Sequence, residues 1–195
     1  MRNFYRAVFV IIATIVGVAP SQAQLVNGSF EPASYFGSWT TLPGGSTAIP
    51  GWTTFASGVE WFTGYASDGL YNIDLANYTS SDGGIEQTFP TTPGEVYIID
   101  FSLGTHQTSG RDGTAEIVVS ADGASQIFTA VNHTAAIAWE SETFSFTADD
   151  VSATLQFRCL QNALLHFAYL DAVGATALST PNEARSWSEV KTLYK

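Results

Sequence analysis

Aromatic rings set beside hydrogen-bonding side chains are the chemistry this chain offers most plainly. Tyr35, Phe36 and Trp39 lie close together, Trp61 and Tyr65 follow, and Trp139 comes later. A flat ring packs against the C–H groups of a pyranose, while a few polar groups beside it fix the sugar's orientation. Glu60, next to Trp61, and Asp74 are polar candidates. The segment 104–113, Gly-Thr-His-Gln-Thr-Ser-Gly-Arg-Asp-Gly, reads as a polar loop carrying His106 and Arg111. The Arg111 fork suits paired hydrogen bonds to sugar hydroxyls or to a uronate carboxylate. The alternative is a solvated loop with an Arg111–Asp112 surface pair. Most large rings in a β-sandwich are core, and alternation assigns Trp52, Phe89, Phe101, Phe144 and Phe157 there. One of the neighbours Trp61 and Phe62 must face outward, so Trp61 is balanced between ligand contact and core.

Catalytic chemistry has no comparable signal. A glycosidase needs two carboxylates flanking a cleft, and 18 acidic residues make some such pair always imaginable. His106, His133 and His166 lack metal-ligand spacing. There is no Gly-x-Ser-x-Gly elbow, phosphate loop or Cys–His pairing. Cys159, the single cysteine, shares one strand face with Leu155 and Phe157 and reads as a small buried hydrophobe. The expectation is a binding protein and not an enzyme.

The elements that must position these residues are strands. Residues 1–23 stand apart: Arg2 and Arg6 precede an apolar run that ends at Pro20, and Ser21-Gln22-Ala23 offers small residues for cleavage, the pattern of a signal peptide. The run is shorter than the roughly 20 residues a membrane span needs. Residues 24–178 then form one domain, and 179–195 a linker and tail. Arg111 and Arg158 are the only Lys or Arg residues in that domain, and the whole chain carries a formal charge of −11. Such a field repels phosphate backbones and excludes nucleic acid as a partner, while cations and neutral sugars remain compatible. Period-two alternation predicts strands over 25–31, 59–62, 71–76, 84–89, 95–104, 114–120, 126–131, 143–147, 153–160 and 167–176. Long loops are expected over 32–50, 105–113 and 132–138. The fold class is therefore all-β, an antiparallel sandwich or barrel with binding loops on a rigid frame.

The order of short motifs adds a resemblance. Leu25-Val26-Asn27-Gly28-Ser29-Phe30-Glu31, Ile49-Pro50-Gly51-Trp52, Val59-Glu60-Trp61-Phe62, Asn72-Ile73-Asp74-Leu75, Gly84-Ile85-Glu86-Gln87-Thr88-Phe89 and Ala168-Tyr169-Leu170-Asp171-Ala172-Val173 succeed one another. The series resembles the bacterial choice-of-anchor C domain and, more distantly, the plant cell-wall family called domain of unknown function 642. Both are similar to the galactose-binding-like jelly rolls that include many carbohydrate-binding modules. The resemblance implies a β-sandwich jelly roll, a bacterial extracellular or cell-surface location, and a structural calcium. Its ligands would be Glu31 and Asp171, with a backbone carbonyl near Asn27 or Gly28. The alternative is that Glu31 caps a turn and Asp171 bonds backbone amides. Unlike anchored relatives, this chain has no hydrophobic segment in its tail. The resulting expectation is a carbohydrate-binding module for an acidic or galactose-type polysaccharide, with Trp61, Arg111, Tyr35, Trp39, Glu60, Tyr65 and His106 as contacts. A structural or adhesive protein that binds other proteins is the rival, and the sequence leaves oligomeric state open.

Overall fold

The computed structural model describes residues 25–34, 37–77 and 82–178. The expected signal segment, the tail and Tyr35 lie outside the described residues. Within them, eleven strands form: β1 (Trp39–Leu42), β2 (Thr53–Ala56), β3 (Val59–Thr63), β4 (Tyr71–Asp74), β5 (Gly83–Pro90), β6 (Val96–Thr105), β7 (Thr114–Ala121), β8 (Ala124–Val131), β9 (Ala138–Thr147), β10 (Ser152–Cys159) and β11 (Tyr169–Leu178). A six-stranded sheet has the order β1-β3-β4-β11-β6-β9, and a five-stranded sheet the order β2-β5-β10-β7-β8. All pairings are antiparallel. The two sheets make an antiparallel sandwich, one of the two architectures that alternation predicts, and match the jelly roll that the resemblance implies.

The alternation shows how the sequence builds it. In β10, Ala153, Leu155, Phe157 and Cys159 are buried, and Thr154, Gln156 and Arg158 point to the other face. Tyr97, Ile99, Phe101 and Leu103 of β6 are likewise buried from the opposing sheet. Phe101 meets Phe157 edge-on at 5.2 Å and Phe128 at 5.1 Å, pairs worth about 0.5–1.5 kcal/mol each beyond area burial. Burial pushes the Cys159 thiol up to about 12, so the group stays a neutral hydrophobe. Asp122 and Gly123 take φ of 45° and 76° between β7 and β8, as a two-residue hairpin turn requires.

Residues 25–31 depart from the expected strand. Asn27 and Phe30 have φ of 55° and 54°. The Asn27 amide closes the segment by accepting from Glu31 N at 2.8 Å and donating to Glu31 O at 2.9 Å. Such local side-chain bonds compete with a sheet ladder. Gly28 lies so near β11 that a Cβ there would fall 1.8 Å from the Val173 carbonyl oxygen. Phe30, fully buried, plugs the core against Trp52 at 5.3 Å. The expected loop 32–50 contains β1, and β9 starts at Ala138, which places Trp139 in a strand. Among the described residues, no helix is long and apolar enough to cross a membrane.

Candidate functional site

Register brings the polar and aromatic residues of the six-stranded sheet to one outer face. Trp61 and Ile73 are paired and buried, so their neighbours Glu60, Phe62, Asn72 and Asp74 point away from the core. The paired positions Thr41, Glu60, Asp74, Tyr169, Gly104 and Trp139 cross the sheet in one row. Trp39 faces Phe62 in the adjacent row. A hollow of ≈ 250 Å³ opens here, lined by Ser38, Trp39, Glu60, Phe62, Asp74 and Tyr169. Binding sites for drug-sized molecules run to about 300–1,000 Å³, so this one suits a single ring or side group of a longer ligand.

Tyr169 is the hub of the face. Phe167 stacks on it at 5.3 Å, and Phe62 and His106 meet it at 5.4 Å. Trp139 approaches at 6.3 Å. Gly104 makes the last contact possible, because a Cβ there would sit 2.8 Å from the Trp139 ring. Burial, chiefly, raises the Tyr169 hydroxyl well above its ordinary value, and it remains a neutral donor and acceptor.

Asp74 is 2% exposed. Its Oδ1 accepts from Ala76 N and Ala168 N, both at 2.9 Å. Its second oxygen takes no hydrogen bond from any described residue. Desolvation raises its pKa from the usual 3.8 to about 6, against the opposing pull of those two amides and Arg111. Glu60 stands directly across on β3. A buried carboxylate lining a hollow, with a second on the paired strand, makes this a candidate binding position.

Several expected contacts fall elsewhere. Trp61 is 3% exposed, packs on Tyr71 at 5.7 Å, and donates its indole N–H to Phe30 O at 2.8 Å. It is core, and Phe62 is the ring that faces out. Arg111 does not project as a donor to ligand: it is 8% exposed, with its guanidinium carbon 4.6 Å from the Phe167 ring centre and Nη1 donating to Ser109 O. Nor does it pair with Asp112, which accepts from Thr114 and lies 3.1 Å from His166 Nδ1. His106 is half-buried between Phe167 and Tyr169, and neither ring nitrogen has a partner among the described residues. Burial lowers its pKa, and the ring is packed between two aromatic neighbours away from the hollow's lining. Trp39 and Tyr65 are solvent-facing rings, 62% and 73% exposed.

Glu31, Asp171 and Asn27 do not fit a calcium cage. Asp171 Oδ2 accepts from Ser67 N and Asp68 N, and Oδ1 from Ala172 N. Glu31 Oε1 accepts from Leu70 N and Tyr71 N. Asn27 O accepts the Trp52 indole N–H. Amide dipoles aimed at a carboxylate present positive ends, an arrangement hostile to a cation. Among the described residues, no three His, Cys, Asp or Glu side chains converge. The two carboxylates instead pin the loop 64–70, with help from Asn72 Nδ2 to Gly64 O, the Trp139 indole to Tyr65 O, and Ser67 to Ser102. That loop carries Tyr65 beside the face.

Asp74, Phe62, Trp139 and Tyr169 complete the site. Alternation around β3 and β11 carries the signal for Phe62 and Tyr169, but only sheet order shows that they meet. A larger hollow of ≈ 430 Å³ lies by the β7–β8 turn, lined by residues such as Ser120, Asp122, Ser152 and Gln156. It contains no ring and only one charged group, so the smaller hollow has the richer chemistry.

Among solved structures, an arabinose-bound GH51 α-L-arabinofuranosidase matches 88% of this chain over 29% of its own, at 12% identity and a TM-score of 0.51. A family 4 carbohydrate-binding module matches 79% of this chain and 99% of its own, at 19% identity and a TM-score of 0.48. The CBM22-1 xylan-binding domain of Xyn10C from Paenibacillus barcinonensis matches 73% and 94%, at 15% identity and 0.46. These likenesses concern the fold. No curated protein matches the sequence. Residues 23–167 match the model of a family described as protein of unknown function, DUF642, and the chain belongs to that family.

Proposed function

We propose that the domain is a non-catalytic glycan-binding module, exported through its N-terminal segment, that takes one sugar unit into the hollow on the outer face of the six-stranded sheet. The observation that carries this reading is the lining itself. Trp39, Phe62 and Tyr169 line the hollow together with two acidic acceptors, Glu60 and Asp74. Ring faces against C–H groups, with hydrogen-bond acceptors at the edge, are what recognition of a pyranose requires. The cationic start and apolar run of residues 1–23 support export. An acidic polysaccharide fits poorly, because Arg111 is turned onto Phe167 and the hollow presents carboxylates.

Retention of the protein on a panel of insoluble and soluble polysaccharides tests the proposal. Trp39→Ala should weaken retention on the recognised glycan by about tenfold or more, the size of an interface hot spot. Trp61→Ala is unsuitable as a binding control, since it opens the core. Failure to bind any glycan would favour a structural or adhesive role through contacts with other proteins.

A further inference from the structure

We propose that the unit held in the hollow carries a protonated amine, making the preferred ligand an amino-sugar polymer with free amino groups. This rests on the glycan reading above and narrows its ligand class. Two carboxylates, Glu60 and Asp74, face each other across adjacent strands, and both line the hollow with three aromatic rings. Among the described residues, no cationic side chain lines it. Arg111 acts on Asp74 only through its charge, while its own guanidinium lies over Phe167.

Asp74 supplies the second, independent observation. It is 98% buried by its 2% exposure, its Oδ1 is taken by two amides, and its other oxygen accepts nothing from the described residues. A carboxylate with so little contact with water favours a cationic hydrogen-bond donor at its remaining oxygen. An ammonium in the hollow is such a partner, donating to Asp74 while resting against ring faces that attract cations. A neutral hydroxyl or an N-acetyl group can donate a hydrogen bond but brings no charge to offset the two carboxylates, and a uronate adds a third negative group. The chain's formal charge of −11 also raises the local concentration of a polycation.

Calorimetric titration of the whole protein with three matched oligosaccharides tests this at pH 6.5. The ligands are a glucosamine oligomer with free amines, its fully N-acetylated counterpart, and a hexuronate oligomer of equal length. The free-amine oligomer should bind at least about tenfold more tightly than the N-acetylated one, and the hexuronate should not bind. Asp74→Asn, which keeps an oxygen for the Ala76 and Ala168 amides, and Glu60→Gln should each remove most of that preference. Glu116→Gln, an exposed position on the other sheet, should leave it intact. Melting curves of all three variants report whether each has folded. Equal or tighter binding of the N-acetylated oligomer would overturn the amine while leaving glycan binding in place. An equal loss from Glu116→Gln would reduce the effect to general charge and also overturn it. No binding of these oligomers or of any polysaccharide panel would remove both readings together.

Discussion

The two sheets present outer faces built by the same alternation, yet the faces solve opposite problems. On the five-stranded sheet, Thr53, Glu86, Gln156, Ser120 and Ser125 form a row of short or flexible polar groups. Polar groups on this face pair with each other: within the row Gln156 Nε2 donates to Glu86 at 2.6 Å, and in another row Thr88 and Thr154 share a hydrogen bond at 2.8 Å. Arg158 grips Asp82 through both carboxylate oxygens, and that hydrogen-bonded pair lowers the Asp82 pKa. The corresponding row on the six-stranded sheet holds Glu60, Asp74, Tyr169 and Trp139. Here burial raises the pKa of a carboxylate, rings take the place of hydroxyls, and strand residues line a hollow. One face is arranged for water and the other tolerates a cost. A ligand that repays this cost is what the proposed function supplies.

The contrast can be tested by mutation. Trp61→Ala should have the largest effect, about 3–5 kcal/mol of lost stability from the cavity and the orphaned Phe30 carbonyl, read by chemical denaturation. Asp171→Ala should cost about 2–4 kcal/mol, because it strands the amides of Ser67, Asp68 and Ala172. Hydrogen exchange at Ser67 and Asp68 should quicken in step.

Asp74→Asn should act in the other direction, stabilising the protein by about 1–3 kcal/mol at pH 7.5. The folded carboxyl holds its proton up to about pH 6 and the unfolded one only to 3.8. The native state therefore binds more protons between those values. Stability from this group is full below pH 3.8 and declines as pH rises through 6. Asp171, raised to about 6 mainly by burial, adds to the same slope. Melting temperature should accordingly increase when pH falls from 7.5 towards 5, and Asp74→Asn should flatten that increase. Arg158→Ala, on the solvated face, should shift stability by less than about 1 kcal/mol, since exposed ion pairs contribute little. A chelator should leave the melting curve unchanged, and a drop would restore a bound calcium.

How much of this was legible in the sequence depends on how local the cause is. Alternation over 153–160 identifies β10 because every second residue is apolar, and Asp122-Gly123 announces its hairpin by chain-local φ preferences. Trp61 and Phe62 could not be ranked from sequence, since either parity suits an isolated strand. Only pairing with β4, which buries Ile73 and Tyr71, decides it. The turn at Asn27 was hidden because Leu25, Val26 and Phe30 imitate a strand, while the deciding contact is Gly28 against distant Val173. Arg111 likewise reads as a surface loop residue until Phe167, on another loop, comes to lie beneath it. The meeting of Trp39, Phe62, Asp74 and Tyr169 depends on β1, β3, β4 and β11 being neighbours, an order no local pattern encodes.

The most direct measurement is an NMR titration of the protein with its recognised glycan, following the indole N–H and backbone amide signals. Trp39 and the amides of residues 60, 62, 74 and 169 should shift together, while the buried indoles of Trp52 and Trp61 hold still. Shifts confined to β2, β5, β10, β7 and β8, or a saturating titration that leaves Trp39 unmoved, would contradict binding at the hollow.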